Sequence, residues 1–85
     1  MDTLSLVIVI NELAKHCVST AATVMAHTSL GTGPFQYFGT EDQKEKYLSK
    51  LSSGEFLGSF GLTEPDAGSD AGNTQTKAIL DGEYY

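Results

Sequence analysis

The stretch "SLVIVINELAKHCVSTAATVM", Ser5 to Met25, decides the fold at the start of the chain. It lies inside a run, residues 2–30, that contains neither proline nor glycine. Apolar side chains recur along it every three or four residues, which is the spacing of one helix face. That face consists of Leu6, Ile10, Leu13, Cys17, Ala21 and Val24, widened by Val9, Val18, Ala22 and Met25. "SLVIVI" alone would suit a strand, but the length of the run favours one long helix, and its wide apolar arc is typical of a bundle.

A second, shorter helix is predicted after a break rich in glycine. "GTGP", residues 31–34, is expected to end the first helix with a left-handed glycine cap, and Pro34 is expected to prevent a restart. A short connector, "FQYFG", follows, and its aromatic side chains are expected to pack at the corner between the helices. Thr40 and Gln43 have the spacing of a capping box, so the second helix begins there and ends at "SSGE", residues 52–55.

The pattern changes after residue 55. "FLGSFGL", residues 56–62, is apolar and rich in glycine, as is typical of a strand that other atoms approach closely. "NTQTKAIL", residues 73–80, alternates with a period of two, and Asp81–Gly82 is a hairpin signal before "EYY". We therefore predict an α+β fold, in which two helices precede the first strands of a truncated sheet.

Composition narrows the classes of function. The 85 residues carry a net charge of −6 and no arginine, which argues against nucleic-acid binding because that function leans heavily on arginine. The single Cys17 cannot form an internal disulfide and is expected to be a core thiol in a reducing compartment. His16 and His27 are expected at the surface or at an interface, and no metal-ligand spacing is present. The apolar run "LVIVI" is too short for a membrane helix.

The stretch "GLTEPDAGSDAG", residues 61–72, is the candidate binding loop. Hydroxyls and free backbone amides around a glycine can hold a diphosphate without arginine. Its acids would then shape the loop, with Asp66 and Asp70 accepting backbone hydrogen bonds as in Asx-turns. The alternative is an ordinary surface turn made of turn-forming residues. A pairing of Glu64 with Asp70 as general acid and base is not supported by their separation in a loop.

Two blocks of the sequence resemble the acyl-CoA dehydrogenase family, and most closely its short-chain, butyryl-CoA type. One block is "FGTEDQKEKYL" with the "SGE" that follows it, and the other is "GSFGLTEPDAGSDA" with the Thr74, Thr76 and Ala78 that follow it. The resemblance covers Pro34 to Tyr85, and the preceding helix suits it. It implies that residues 1–55 are the C-terminal helices of an N-terminal all-helical domain. Residues 56–85 would begin an antiparallel middle β-domain that carries the FAD-binding signature.

The resemblance implies binding roles for six residues. They are Phe60, Gly61, Leu62, Thr63, Gly68 and Ser69. The first four are expected to end the first strand of the middle domain and to line the flavin, with Leu62 and Thr63 making polar contacts to its ring. Gly68 and Ser69 are expected at the diphosphate of FAD, and Ser69 also lies near the bound acyl-CoA in such proteins.

The whole protein implied by the resemblance oxidises a short-chain acyl-CoA to the trans-2-enoyl-CoA. It takes the α-proton, transfers the β-hydride to FAD and passes electrons to an electron-transferring flavoprotein; a cytoplasmic homotetramer is expected. The catalytic glutamate of the family lies in a C-terminal helical domain without a counterpart here, so no catalytic residue is assigned and the chain alone is expected to be inactive. Two alternatives stay open: a non-catalytic fragment, or a segment of an acyl-CoA oxidase-type relative.

Overall fold

The structure, a computed structural model, describes residues 2–85. Four α-helices follow one another, namely α1 (Thr3–His16), α2 (Val18–Met25), α3 (Gly33–Phe38) and α4 (Glu41–Ser53). A π-helical turn, Ala26–Gly31, joins α2 to α3, and a short 3₁₀ turn, Ala71–Asn73, lies in the C-terminal part. The helical N-terminal part is therefore as predicted.

The predicted single long helix is wrong at one position, because the chain breaks at Cys17. Its backbone is extended there, with φ −154° and ψ 102°. The next three residues are β-branched or carry hydroxyls, and such residues are weak helix formers. The hydroxyls of Ser19 and Thr20 lie 3.3 and 3.1 Å from the Cys17 sulfur, and these contacts lower the pKa of the thiol to about 7. Cys17 is exposed, so the expected core thiol is a surface thiol.

The break lets α2 run back along α1. Met25, at the end of α2, lines the same cavity as Leu6, Ile10 and Ala14 of α1. The apolar faces of the two helices meet only in part, since Val18 and Met25 of these faces still expose 71% and 47% of their surface. An amphipathic stripe wider than its contact surface is typical of a helix that has further neighbours.

The glycines and the proline of "GTGP" act differently from the prediction. Within residues 2–85 only Gly54 and Gly82 have a positive φ, so neither Gly31 nor Gly33 is a left-handed cap. Pro34 instead lies in the first turn of α3, where its missing N–H costs no helical hydrogen bond. The predicted connector is thus a helix.

Helix α4 confirms the sequence prediction at both ends. The Thr40 hydroxyl accepts from the Gln43 amide at 3.2 Å, and the Gln43 side chain accepts from the Thr40 amide at 2.9 Å. Gly54 ends the helix in the left-handed conformation, with φ 79°. The aromatic corner is confirmed only for Phe35, whose ring centroid lies 5.1 Å from that of Tyr47, since Tyr37 and Phe38 are exposed.

The predicted strands are not formed between residues 56 and 85. This part of the chain has two isolated antiparallel bridges, Glu64 with Ala67 and Asp81 with Tyr84. The second bridge closes a tight turn one residue beyond the predicted one, because its central residues are Gly82, at φ 64°, and Glu83 and not Asp81 and Gly82. A strand is stabilised by cross-strand pairs, and within residues 2–85 the bridges that these residues form are two isolated ones, which do not extend into a ladder.

The buried core is small for the length of the chain. The buried apolar side chains among the described residues are Ala21, Leu51 and Ala67. The radius of gyration is 15.5 Å, whereas a compact domain of this length would have about 12 Å. None of the helices within residues 2–85 combines the length and hydrophobicity needed to cross a bilayer.

Candidate functional site

A tight turn organises the candidate loop. The amide of Glu64 donates to the carbonyl of Ala67 at 2.9 Å, and the amide of Ala67 donates back at 3.2 Å. Pro65 occupies the first central position, where its fixed φ favours the turn. A Cβ atom placed on Gly68 would lie 3.7 Å from the Thr63 methyl group, so the turn brings the two flanks of the loop together.

The Glu64 carboxylate closes a larger loop. It accepts hydrogen bonds from the hydroxyl of Thr76 and from the amide of Gln75. The Thr76 amide also donates to it, at 3.1 Å to Oε2. These donors, the Thr76 hydroxyl first, lower the pKa of Glu64 below its usual value of 4.5. The expectation that acids shape the loop is thus confirmed for Glu64.

Asp66 and Asp70 do not act as predicted. The side chains of both are free of hydrogen bonds within the described residues, so they form no Asx-turn. Their backbone carbonyls act instead, because that of Asp66 accepts from the Asn73 side chain at 3.3 Å and that of Asp70 accepts from the Asn73 amide at 3.1 Å. Glu64 does not pair with Asp70, since its oxygens are occupied by the Gln75 and Thr76 donors.

The six predicted binding residues lie at the surface or just below it. Phe60 and Leu62 expose 51% and 46% of their area, and Gly68 is half-buried. The hydroxyls of Thr63 and Ser69 are exposed and make no hydrogen bond within residues 2–85, as is true of the Gly68 and Ser69 amides. A Cβ atom placed on Gly61 would have no neighbouring atom within 4 Å. A donor set of hydroxyls and free amides beside an apolar edge fits a flavin nucleotide, whose ring has an apolar face and a polar edge and whose diphosphate needs donors.

His27 is a residue whose position the sequence did not reveal. Its Nε2–H donates to the carbonyl of Leu51 at 3.0 Å, and its Nδ1 accepts from the amide of Gly58 at 2.9 Å. One side chain therefore connects the π-helical turn, the end of α4 and the segment that leads into the candidate loop. A surface or interface histidine was expected, and nothing in the local pattern indicates partners 24 and 31 residues away.

The same contact brings two backbones together. The nearest atom to a Cβ placed on Gly31 would be the carbonyl carbon of Gly58, at 2.4 Å. A Cβ on Gly58 would lie 3.1 Å from Gly31 and 3.2 Å from the Leu51 side chain. Position 31 at this crossing therefore needs glycine, since real Cβ atoms do not approach a carbonyl carbon so closely.

No group of three or more His, Cys, Asp or Glu side chains that could hold a metal ion occurs among residues 2–85.

Comparison with known proteins gives a consistent result. The family description "Acyl-CoA dehydrogenase, N-terminal domain" matches residues 1–55. The probable acyl-CoA dehydrogenase YngJ of Bacillus subtilis is 56% identical over 84 residues, covering 99% of this chain and 22% of that protein. The short-chain specific acyl-CoA dehydrogenase of Clostridium acetobutylicum is 49% identical over 84 residues, with the same coverage. The mitochondrial short-chain specific acyl-CoA dehydrogenase of Bos taurus is 39% identical over 85 residues, which is 100% of this chain and 21% of that protein.

The chain thus spans about a fifth of the length of these relatives. The matched family description covers the four helices, from before α1 to just beyond the end of α4. On these matches, the chain belongs to the acyl-CoA dehydrogenase family.

Proposed function

We propose that this chain supplies one wall of the flavin pocket of an FAD-dependent acyl-CoA dehydrogenase that acts on a short-chain acyl-CoA. The observation that carries this proposal is the candidate loop itself: the hydroxyls of Thr63 and Ser69 are exposed and make no hydrogen bond within residues 2–85, while the Glu64 carboxylate accepts from Gln75 and Thr76. A loop with free donors, whose Glu64 carboxylate already accepts from donors of the chain, can accept the diphosphate of a nucleotide.

Each predicted residue has a part in this proposal. Phe60, Gly61, Leu62 and Thr63 would face the isoalloxazine ring, with the open space at Gly61 allowing close approach. Gly68 and Ser69 would donate to the diphosphate, and Ser69 would also contact the acyl-CoA. When bound, FAD supplies the hydride acceptor for the β-carbon of the substrate. The chain's own contribution is to hold the ring, donate to the diphosphate and exclude water from one side.

The domain boundary is also part of the proposal. Residues 1–55 would end the N-terminal helical domain, and residues 56–85 would begin the middle β-domain. Every residue of the alternating segment 73–80 is exposed, and the segment would become a strand once neighbouring strands pair with it. In the whole protein we propose a cytoplasmic homotetramer that passes electrons to an electron-transferring flavoprotein.

The chain is not proposed to carry out the reaction alone. Dehydrogenation requires a base for the α-proton and an acceptor for the β-hydride on opposite sides of the substrate, and we assign no base among these residues. The trans-2-enoyl-CoA forms only when both groups leave.

The proposal can be tested with a chimera. This chain replaces the matching stretch of the Clostridium acetobutylicum enzyme, with which it shares 49% of 84 residues. The chimera is expected to bind FAD and to reduce an electron-accepting dye with butyryl-CoA, and a Thr63→Val/Ser69→Ala double variant is expected to lose roughly 10-fold or more in FAD affinity. A folded chimera without FAD affinity, or a double variant equal to the unmodified chimera, would refute the proposed role.

A further inference from the structure

We propose that His27 is a positioning residue for the flavin-binding segment: its ring fixes Gly58 and thereby places Phe60 to Thr63 against the ring of FAD. This inference rests on the proposed function. His27 is remote from the candidate loop in sequence. The proposal rests on its two hydrogen bonds to the backbone of Leu51 and Gly58.

Both ring nitrogens are used, and they are used in one tautomer. Nδ1 accepts from the Gly58 amide, so it carries no proton, and Nε2 carries the proton that it donates to Leu51. The neutral imidazole is matched to one N–H and one carbonyl on two different segments. The ring is half-buried, so loss of these bonds would leave partly buried backbone groups without partners.

The hydrogen bond between Gly58 and His27 is the last backbone hydrogen bond before the turn at Glu64 within the described chain. Between Gly58 and Glu64, none of the backbone N–H or carbonyl groups of residues 59–63 makes a hydrogen bond within the described chain. This stretch of at most about 20 Å is therefore held at its two ends, by His27 at Gly58 and by the turn at Glu64. Phe60 lies two residues beyond the first of these points, so a shift of Gly58 moves the flavin-facing edge directly.

The close contact between Gly31 and Gly58 restricts the position of Gly58 further. Backbone atoms of the π-helical turn pack against Gly58 on the side of Gly31, and the Leu51 side chain lies beside it. His27 belongs to the same π-helical turn and supplies the directional contact, while the crossing supplies the close packing. A hydrogen bond and a steric contact together define one position, whereas packing alone permits sliding along the contact.

The experiment uses the chimeric holoenzyme described above. Three variants are compared with it: His27→Phe, which keeps a ring but loses both hydrogen bonds; His27→Gln, which keeps one acceptor and one donor; and His16→Ala, a matched exposed histidine. FAD affinity, the visible flavin spectrum and the separate kcat and KM for butyryl-CoA are measured, with helix content followed by far-ultraviolet circular dichroism.

His27→Phe is expected to weaken FAD binding roughly 10-fold and to shift the flavin absorption bands, whereas His27→Gln stays within about threefold of the unmodified chimera. His16→Ala is expected to change neither. In His27→Phe the kcat is expected to fall more than KM rises. The flavin ring would be misplaced, whereas the acyl-CoA contacts at Ser69 would not.

Equal FAD affinity and spectra in His27→Phe and the unmodified chimera would overturn the proposal. Equal affinities in the Phe and Gln variants would do so as well, since a role in packing alone does not distinguish them. Should the Phe variant lose its helix content, the Gln variant decides, and a folded Gln variant without FAD affinity refutes the role. If the unmodified chimera binds no FAD, the proposed function itself has failed; if it binds FAD and the variants match it, only this inference has.

Discussion

Gly31 and Gly58 cross so closely that a methyl group on Gly31 would lie 2.4 Å from the carbonyl carbon of Gly58. This contact joins the end of the π-helical turn to the segment that follows α4, and His27 bridges the same two parts of the chain. The helical part and the segment that leads into the candidate loop thus meet through backbone atoms at this crossing.

Gly31→Ala is therefore expected to destabilise the chain. A better helix residue would add up to about 1 kcal/mol, but overpacking against a backbone costs about 1–3 kcal/mol, so the net change is unfavourable. Gly33→Ala is the matched control, because its Cβ would meet only the Tyr37 ring at 4.0 Å. Urea titration of helix content, with trimethylamine N-oxide present to favour the folded chain, gives the comparison. A Gly31→Ala midpoint at or above that of Gly33→Ala would contradict the crossing.

Removing the capping box is expected to weaken α4. Thr40→Ala loses the hydroxyl that accepts from the Gln43 amide, at a cost of about 1 kcal/mol, while Thr40→Ser keeps it. Amide hydrogen exchange in the first turn of α4 measures the effect, with faster exchange expected in the Ala variant alone. Equal exchange in the Ala and Ser variants would show that the cap contributes nothing.

The hydrogen bonds from Gln75 and Thr76 to the Glu64 carboxylate, here called the Glu64 clasp, are expected to break at low pH. Because the folded pKa of Glu64 lies below its unfolded value of 4.5, its contribution is fully present above pH 4.5 and is lost as pH falls through the lower, folded value. The amide shifts of Gln75 and Thr76 should titrate together with a midpoint below 4.5. Glu64→Gln should abolish this titration, and Asp66→Asn should leave it unchanged. A midpoint at or above 4.5 would contradict the clasp.

Helix α4 could be predicted from the sequence almost completely, because its signals are local. The Thr40–Gln43 box and the Gly54 cap both act within one turn of the helix that they bound. The break at Cys17 could not, since apolar spacing continues through it and the hydroxyls beside it bond to the thiol only once the chain has turned.

In the candidate site, too, some features could be predicted from local sequence and others could not. The turn at Pro65 follows from local chemistry, and the six binding residues follow from a resemblance to known proteins. The Glu64 clasp spans 11 and 12 residues, and the His27 contacts span 24 and 31. Contacts at such separations depend on how segments pack, which periodicity and turn signals do not encode.

The isolated chain is expected to bind FAD weakly and to show no turnover. A nucleotide held from one side only keeps much of its hydration. Its dissociation constant should therefore be larger than about 1 μM. Flavin fluorescence titration and butyryl-CoA-dependent dye reduction measure both properties. Submicromolar binding, or turnover well above background, would show that the chain carries more of the pocket than proposed.

The most direct measurement is a crystal structure of the chimera with FAD bound. We expect the hydroxyls of Thr63 and Ser69 within about 3.2 Å of polar atoms of the nucleotide, and Phe60 in contact with its ring. A structure in which FAD is bound while the turn at Pro65 faces open solvent, away from the nucleotide, would contradict the account.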